Sequence, residues 1–188
     1  MSSQGSSKCS NFLESESMRQ RVCFLSELVR LRGLGYKKGR DFEVKEGKLA
    51  RVIVERFQTG DDILESLNAL IHSNNVLAGG FTAVGAVESA VVGFFVGEGR
   101  YAEVKLQGPL EILSCIGNVS VKDGTPFVHA HLTLADGNGR TYGGHVLPGC
   151  IVGATFEINL LEYEDVEVVR KFDSRTKLYL LDTASRSE

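Results

Sequence analysis

Nowhere among these 188 residues is there an apolar run of the roughly 18 needed for a transmembrane helix. The first residues, Met1-Ser2-Ser3-Gln4-Gly5-Ser6-Ser7, do not follow the charged-then-apolar order of a secretory signal. An intracellular, cytoplasmic protein without a membrane partner is the expectation. Cysteine is sparse, and Cys9, Cys23, Cys115 and Cys150 share no C-x-x-C spacing, which argues against a disulfide framework. Cys150 lies close to His145 in sequence, yet a small buried thiol is the commoner outcome than a soft metal ligand. There is no G-x-S-x-G elbow, no P-loop and no Cys–His pairing, so the chain offers no independent nucleophile. Neither sign of charge dominates. A net charge of −3 and a pI near 5.9 weigh against nonspecific coating of nucleic acid, which needs many Lys and Arg contacts to phosphate.

The composition is that of an ordinary globular chain, 43% hydrophobic and 24% charged, long enough for one domain with extensions. Three stretches follow. Residues 1–42 read as a variable extension, with a polar Ser- and Glu-rich start and a short amphipathic helix over residues 18–32. Met18, Val22, Leu25 and Val29 form the helix's apolar stripe. Its arginines suit a docking helix, with organelle targeting as the alternative; Glu14, Glu16 and Glu27 count against targeting. Residues 43–182 carry the regular pattern, and residues 183–188 read as a disordered tail.

Within the regular part, residues 49–57 read as a strand, and Thr59-Gly60-Asp61-Asp62 as a turn and helix cap. Ile63, Leu67, Leu70 and Ile71 then give helical spacing up to Asn74, which places His72 at the helix's polar end. After that only strands are expected: residues 76–87, 90–96, 101–106, 110–121, 127–135, 140–147, 151–161 and a last one near 177–181. The fold class predicted is α+β, a mainly antiparallel, barrel-like sheet with one principal helix.

Three of the four histidines fall in one stretch, as His129-Ala130-His131 and, past a turn, His145. Residues i and i+2 of a strand share a face. Asp136-Gly137-Asn138-Gly139 is turn chemistry, because Gly and Asn accept positive φ. A three-residue loop over residues 137–139 would pair Asp136 with Arg140 and set His131 opposite His145. Three imidazoles then converge in the ligand pattern of a zinc-type site, for zinc or another divalent transition metal, with a position left open. A slip of one residue would send His145 to the other face. The competing reading is a hydrogen-bonded histidine cluster at a subunit contact. Glu88, after a Gly-Ala-Val strand end, and Glu157, on the polar side of an apolar strand, are the candidate catalytic carboxylates; a solvated face is the bland alternative for each. Glu111 is less favoured.

The residues also resemble a known family. The segments Gly85-Ala86-Val87-Glu88-Ser89-Ala90, Gly108-Pro109-Leu110-Glu111-Ile112-Leu113-Ser114, Gly117-Asn118-Val119-Ser120, Pro126-Phe127-Val128-His129-Ala130-His131, Tyr142-Gly143-Gly144-His145 and Phe156-Glu157 occur in order. Over roughly 130 residues they are similar to the PPC (plants and prokaryotes conserved) domain, in its histidine-bearing bacterial and archaeal form. The resemblance implies one helix packed with antiparallel strands, a homotrimer, and a fold similar to that of acetolactate decarboxylase, which holds zinc with histidines. It also implies a DNA-associated or regulatory role, a label inherited from plant members that join the domain to an AT-hook. No Arg-Gly-Arg-Pro segment occurs here, and the basic stretch at residues 36–40 is short and followed by Asp41, so a hook in the minor groove is not supported. The expectation is therefore a PPC-domain protein with a histidine-built metal site and a DNA-associated or regulatory role. The alternative is a small zinc-dependent lyase- or hydrolase-like enzyme acting on a carbonyl- or carboxylate-bearing small molecule bound at the metal.

Overall fold

The computed structural model of the protein describes residues 44–183. The expected helix over residues 18–32, Cys9, Cys23, the basic stretch at 36–40 and most of the 183–188 tail lie outside these residues. Strand β1 (Lys48–Phe57) leads into helix α1 (Ile63–Ser73), followed by β2 (Gly79–Gly97), β3 (Arg100–Lys122), β4 (Thr125–Ala135), β5 (Thr141–Val146), β6 (Ile151–Glu164), β7 (Val169–Asp173) and β8 (Leu178–Asp182). The sheet runs in the order β1-β6-β2-β5-β4-β3-β7-β8, and β2 also pairs with β3. That additional pairing closes a ring of four strands, β2-β5-β4-β3, so the α+β, barrel-like expectation holds. Closure leaves these strands without a free edge along the shared stretch.

Helix α1 begins where the sequence suggests. The Asp62 carboxylate accepts from the amides of Leu64 and Glu65 at 2.9 and 3.1 Å, satisfying two of the donors a helix start leaves open. Its other oxygen accepts from the Gly149 amide at 2.6 Å and so ties the helix start to the β5–β6 turn. Ile63, Leu67 and Ile71 are fully buried along one stripe, whereas His72 is exposed near the helix end. The stripe packs on β4 and β6. The core it joins includes Phe57, stacked at 5.1 Å on Phe156, together with Leu132, Leu134, Ile158 and Leu160. Each fully buried Leu or Ile contributes about 1.5–3 kcal/mol relative to exposure. Cys115 and Cys150 are free, buried thiols, and Cys150 donates to the Val91 carbonyl. Burial pushes the Cys115 thiol up to about 12, so both are packing residues.

Two differences from the sequence reading matter. The expected strands 76–87 and 90–96 are one long β2 that begins only at Gly79, and 101–106 and 110–121 belong to one long β3. Register shifts at Ala83/Gly85 and Val87/Ser89 carry the pairing through the breaks. A bulge adds a residue and bends a strand without ending it, so glycine and proline mark bends here and not ends. Strand β7 was not anticipated. It joins the sheet through one parallel pair, Val121 with Val169, and forms a hairpin with β8. No helix of the described residues is long and apolar enough to cross a membrane.

Candidate metal centre

Strand β4 alternates cleanly. Val128, Ala130, Leu132 and Leu134 are buried in the core, while His129, His131 and Thr133 occupy the opposite face. The following turn sets the register. The Asp136 amide donates to the Arg140 carbonyl at 3.0 Å, and the Asp136 carboxylate accepts from the Asn138 and Arg140 amides at 2.9 and 3.0 Å. Those amides, with the Tyr142 hydroxyl, hold the Asp136 carboxyl below its ordinary range. Gly139 takes a φ of 77°, a conformation costly for a residue with a Cβ. From this anchor the register runs back to place His131 directly opposite His145, as the loop length predicted.

His145 is held from both sides. Strand β5 lies between β4 and β2, with His145 paired to Gly93 of β2. A Cβ on Gly143 would stand 2.7 Å from the Leu132 carbonyl oxygen, and one on Gly144 would stand 2.9 Å from the Gly93 carbonyl oxygen. Both neighbouring strands therefore approach β5 closely only because these two positions lack side chains.

One ring nitrogen from each of His129, His131 and His145 lies within 4.8 Å of the others. The ring centroids are 5.0 to 5.4 Å apart. The Nε2 atoms of His129 and His131 face each other at 3.3 Å, an approach that needs a proton or a cation between two lone-pair donors. His145 Nδ1 is buried with no hydrogen-bond partner. A buried polar atom left unpaired is costly, and an electrophile shared by the three rings would satisfy it. Tyr101 stacks on the His145 ring at 4.9 Å and fixes its plane. Burial first, then the positive field of Arg170 and the neighbouring imidazoles, lowers His129 to about 4; burial followed by His131 and Arg170 lowers His145 as well. Both rings are thus neutral at ordinary pH, the form that donates to a metal. Three imidazole donors at this spacing fit a single divalent ion.

A cavity of about 400 Å³ opens beside the triad, walled by His129, His145, Tyr101, Lys122, Phe127 and Arg170 together with residues of β8 and its turn, and no acidic residue lines it. Glu88 and Glu157 are both exposed, and neither lines this cavity. Glu157 accepts from the Thr155 hydroxyl and lines a separate groove with Val84, Leu113, Ile116 and Asn159. Glu111 is exposed on β3. Arg170, Lys122 and Tyr101 were not singled out in the sequence. The available signal for Arg170 was the cation pair Arg170-Lys171 set between apolar residues in Val168-Val169-Arg170-Lys171-Phe172.

The model of the Plants and Prokaryotes Conserved (PCC) domain matches residues 44–164, more than half of the chain. Two curated relatives, each named bifunctional protein GlmU, come from Synechococcus strains. One is 33% identical over 139 residues, 73% of this chain and 21% of that relative. The other is 34% identical over 122 residues, 64% of this chain and 18% of that relative. The chain thus spans about a fifth of the length of these relatives. Among solved structures, a metal-containing protein from Archaeoglobus fulgidus is 33% identical with a TM-score of 0.68, covering 74% of this chain and 99% of that one. A plant- and prokaryote-conserved protein from Pyrococcus horikoshii is 30% identical with the same TM-score of 0.68, covering 73% and 94%. A Bacteroides thetaiotaomicron protein described as a candidate for DNA binding shares the fold at 20% identity, with a TM-score of 0.65 over 74% of this chain and 97% of that one.

Proposed function

Starting from the fact that this chain belongs to the Plants and Prokaryotes Conserved domain family, we propose that it is a metal-dependent member that binds a small molecule beside a histidine-held divalent ion. The observation that carries this is the convergence of three imidazole nitrogens within 4.8 Å, with His129 and His145 in the wall of a cavity. His129, His131 and His145 would hold the ion. Zinc suits an all-imidazole donor set, and other divalent transition metals share that preference. The name of the Archaeoglobus relative as metal-containing supports the reading. When bound, such an ion supplies a Lewis acid for a carbonyl or carboxylate oxygen, which suits lyase- or hydrolase-like chemistry.

The protein's own residues do the rest. Tyr101 orients His145 by stacking, and the apolar rings of Phe127 and Tyr179 exclude water from one side of the cavity. Burial keeps His129 and His145 unprotonated. Glu88 and Glu157 lie off this cavity, so neither is given a catalytic role within one chain. A homotrimer is part of the proposal. Val84, Leu113 and Ile116 are 54%, 53% and 59% exposed around the groove that holds Glu157, an apolar patch suited to a subunit contact. A cytoplasmic location fits the free thiols.

The test is elemental analysis of the full chain purified without chelator. About one equivalent of metal per chain is expected, falling to background in His129→Ala with the far-ultraviolet spectrum retained. Background metal in both proteins overturns the reading. A DNA-associated role is the second reading. It is supported by the description given to the Bacteroides fold relative and opposed by the net charge of −3. Retardation of a DNA duplex at low salt, where phosphate contacts are strongest, would establish it, and none there would remove it.

A further inference from the structure

Arg170 is a buried cation whose partners are all neutral. It is 9% exposed. Its Nε donates to Ser120 Oγ at 2.8 Å, its Nη1 to the Tyr179 carbonyl at 3.0 Å, and its Nη2 to Asn118 Oδ1 at 2.8 Å. The ion pairs among the described residues, Lys48–Asp165, Arg51–Glu162 and Lys171–Asp182, leave it out. Buried charges are ordinarily compensated by an opposite charge, because removing an ion from water costs several kcal/mol. A guanidinium has five N–H groups, and three are committed here, so two remain.

Their surroundings say what they await. Asn118 and Ser120 lie on β3 directly across from His129 and Phe127 of β4, so the contacts of Arg170 pin its guanidinium one strand from the triad. Arg170 lines the same cavity as His129 and His145. Lys122 lines it too, its ammonium 4.2 Å from the Tyr179 ring centroid and 5.5 Å from that of Phe127. Three cations (Arg170, Lys122 and Lys177), aromatic walls and no carboxylate describe a receptor for an anion with an apolar body. The cavity volume of about 400 Å³ suits a small metabolite. With so little of Arg170 exposed, the groove accepts a free small anion better than the rigid phosphate backbone of a duplex.

We propose that Arg170, with Lys122 beside it, is the anchor for the carboxylate of a small organic acid that binds in the triad's cavity. The planar guanidinium offers paired N–H donors whose geometry matches a carboxylate. Placement of a second ligand oxygen toward the metal rests on the metal reading above, whereas the Arg170 anchor does not. Arg170 and Tyr179 both lie beyond residue 164, where the family match ends, so the β7–β8 hairpin supplies this subsite.

The experiment titrates the full chain, zinc-loaded and metal-stripped, with lactate, neutral lactamide, inorganic phosphate and a short DNA duplex, by calorimetry. Lactate is expected to bind the zinc-loaded chain, with lactamide weaker by about tenfold or more, the scale of a charge-assisted hydrogen bond. Arg170→Gln should weaken lactate by about the same factor while zinc content stays unchanged. On the stripped chain, weaker but Arg170-dependent lactate binding is expected, so failure of the metal reading is seen separately, as missing zinc. Equal affinity for lactate and lactamide, or an unchanged affinity in Arg170→Gln, overturns the proposal. So does phosphate or the duplex binding more tightly than lactate. Should Arg170→Gln fail to fold, Lys122→Gln and the Arg170 Nε–H resonance of the unmodified chain decide. A weaker lactate affinity with that resonance moving on titration supports the anchor, and neither changing overturns it.

Discussion

The two hairpins that meet at the cavity are built on different physical terms. The β4–β5 hairpin is anchored inside itself by the Asp136 turn and walled on both sides by strands of the closed ring. The β7–β8 hairpin joins the sheet through a single parallel pair, one bond from the Gly99 amide to the Thr176 carbonyl, the Lys122–Tyr179 contact and the hydrogen bonds of Arg170. The first delivers three histidines by register, and the second delivers one cation by docking. Ligand position in the first depends on backbone geometry that cannot yield without breaking the core. In the second it depends on a few side-chain contacts, so this wall of the cavity is the one that can be altered while the fold survives.

The largest effect should come from behind the histidines. Leu132→Ala empties a fully buried core site of β4 and should cost about 2–5 kcal/mol in denaturant unfolding, with the folded fraction still binding metal. Gly143→Ala attacks the register side. Its Cβ would stand 2.7 Å from the Leu132 carbonyl, and a loss of about 1–3 kcal/mol is expected together with loss of metal, read by elemental analysis. Arg170→Met probes the other hairpin. Leaving Ser120 and Asn118 without their donor should cost about 1–3 kcal/mol while metal content is kept. Loss of metal in that variant would erase the distinction between the hairpins.

A pH titration sharpens the same contrast. In the folded, metal-free chain His129 titrates near 4, below the ordinary value of 6.5. Between those values the unfolded state binds more protons, so stability is fully present above pH 6.5 and is lost as pH falls toward 4. His129→Gln should flatten that slope, as followed by thermal melts across the window, and added zinc should shift the loss to lower pH. The smallest effect belongs to the periphery. Lys48 and Asp165 pair at 2.6 Å but are 72% and 63% exposed, so Lys48→Ala should change stability by about 0–1 kcal/mol and metal binding not at all.

Much of the candidate metal centre was legible because its geometry is local. Strand alternation and a turn whose residues accept positive φ are properties of a short segment, and together they determine that His131 faces His145. The helix cap at Asp62 and the apolar stripe of α1 were legible for the same reason. Local reading stopped where strands bend without ending. Breaks were expected at residues 88–89 and 107–109 in what are two long bulged strands. The candidate carboxylates mark a second limit. Glu88 and Glu157 share polar strand faces with no necessary relation to the triad, because the direction a face points is set by how distant strands pair.

The sequence alone determined the α+β class, the helix and its cap, and the facing of His129, His131 and His145, since each follows from spacing within a few residues. Closure of β2-β5-β4-β3 into a ring, and the arrival of Arg170 beside Asn118 and Ser120, were decided only by tertiary structure. Those contacts join residues about fifty positions apart, and no short-range pattern records which distant strands will pair.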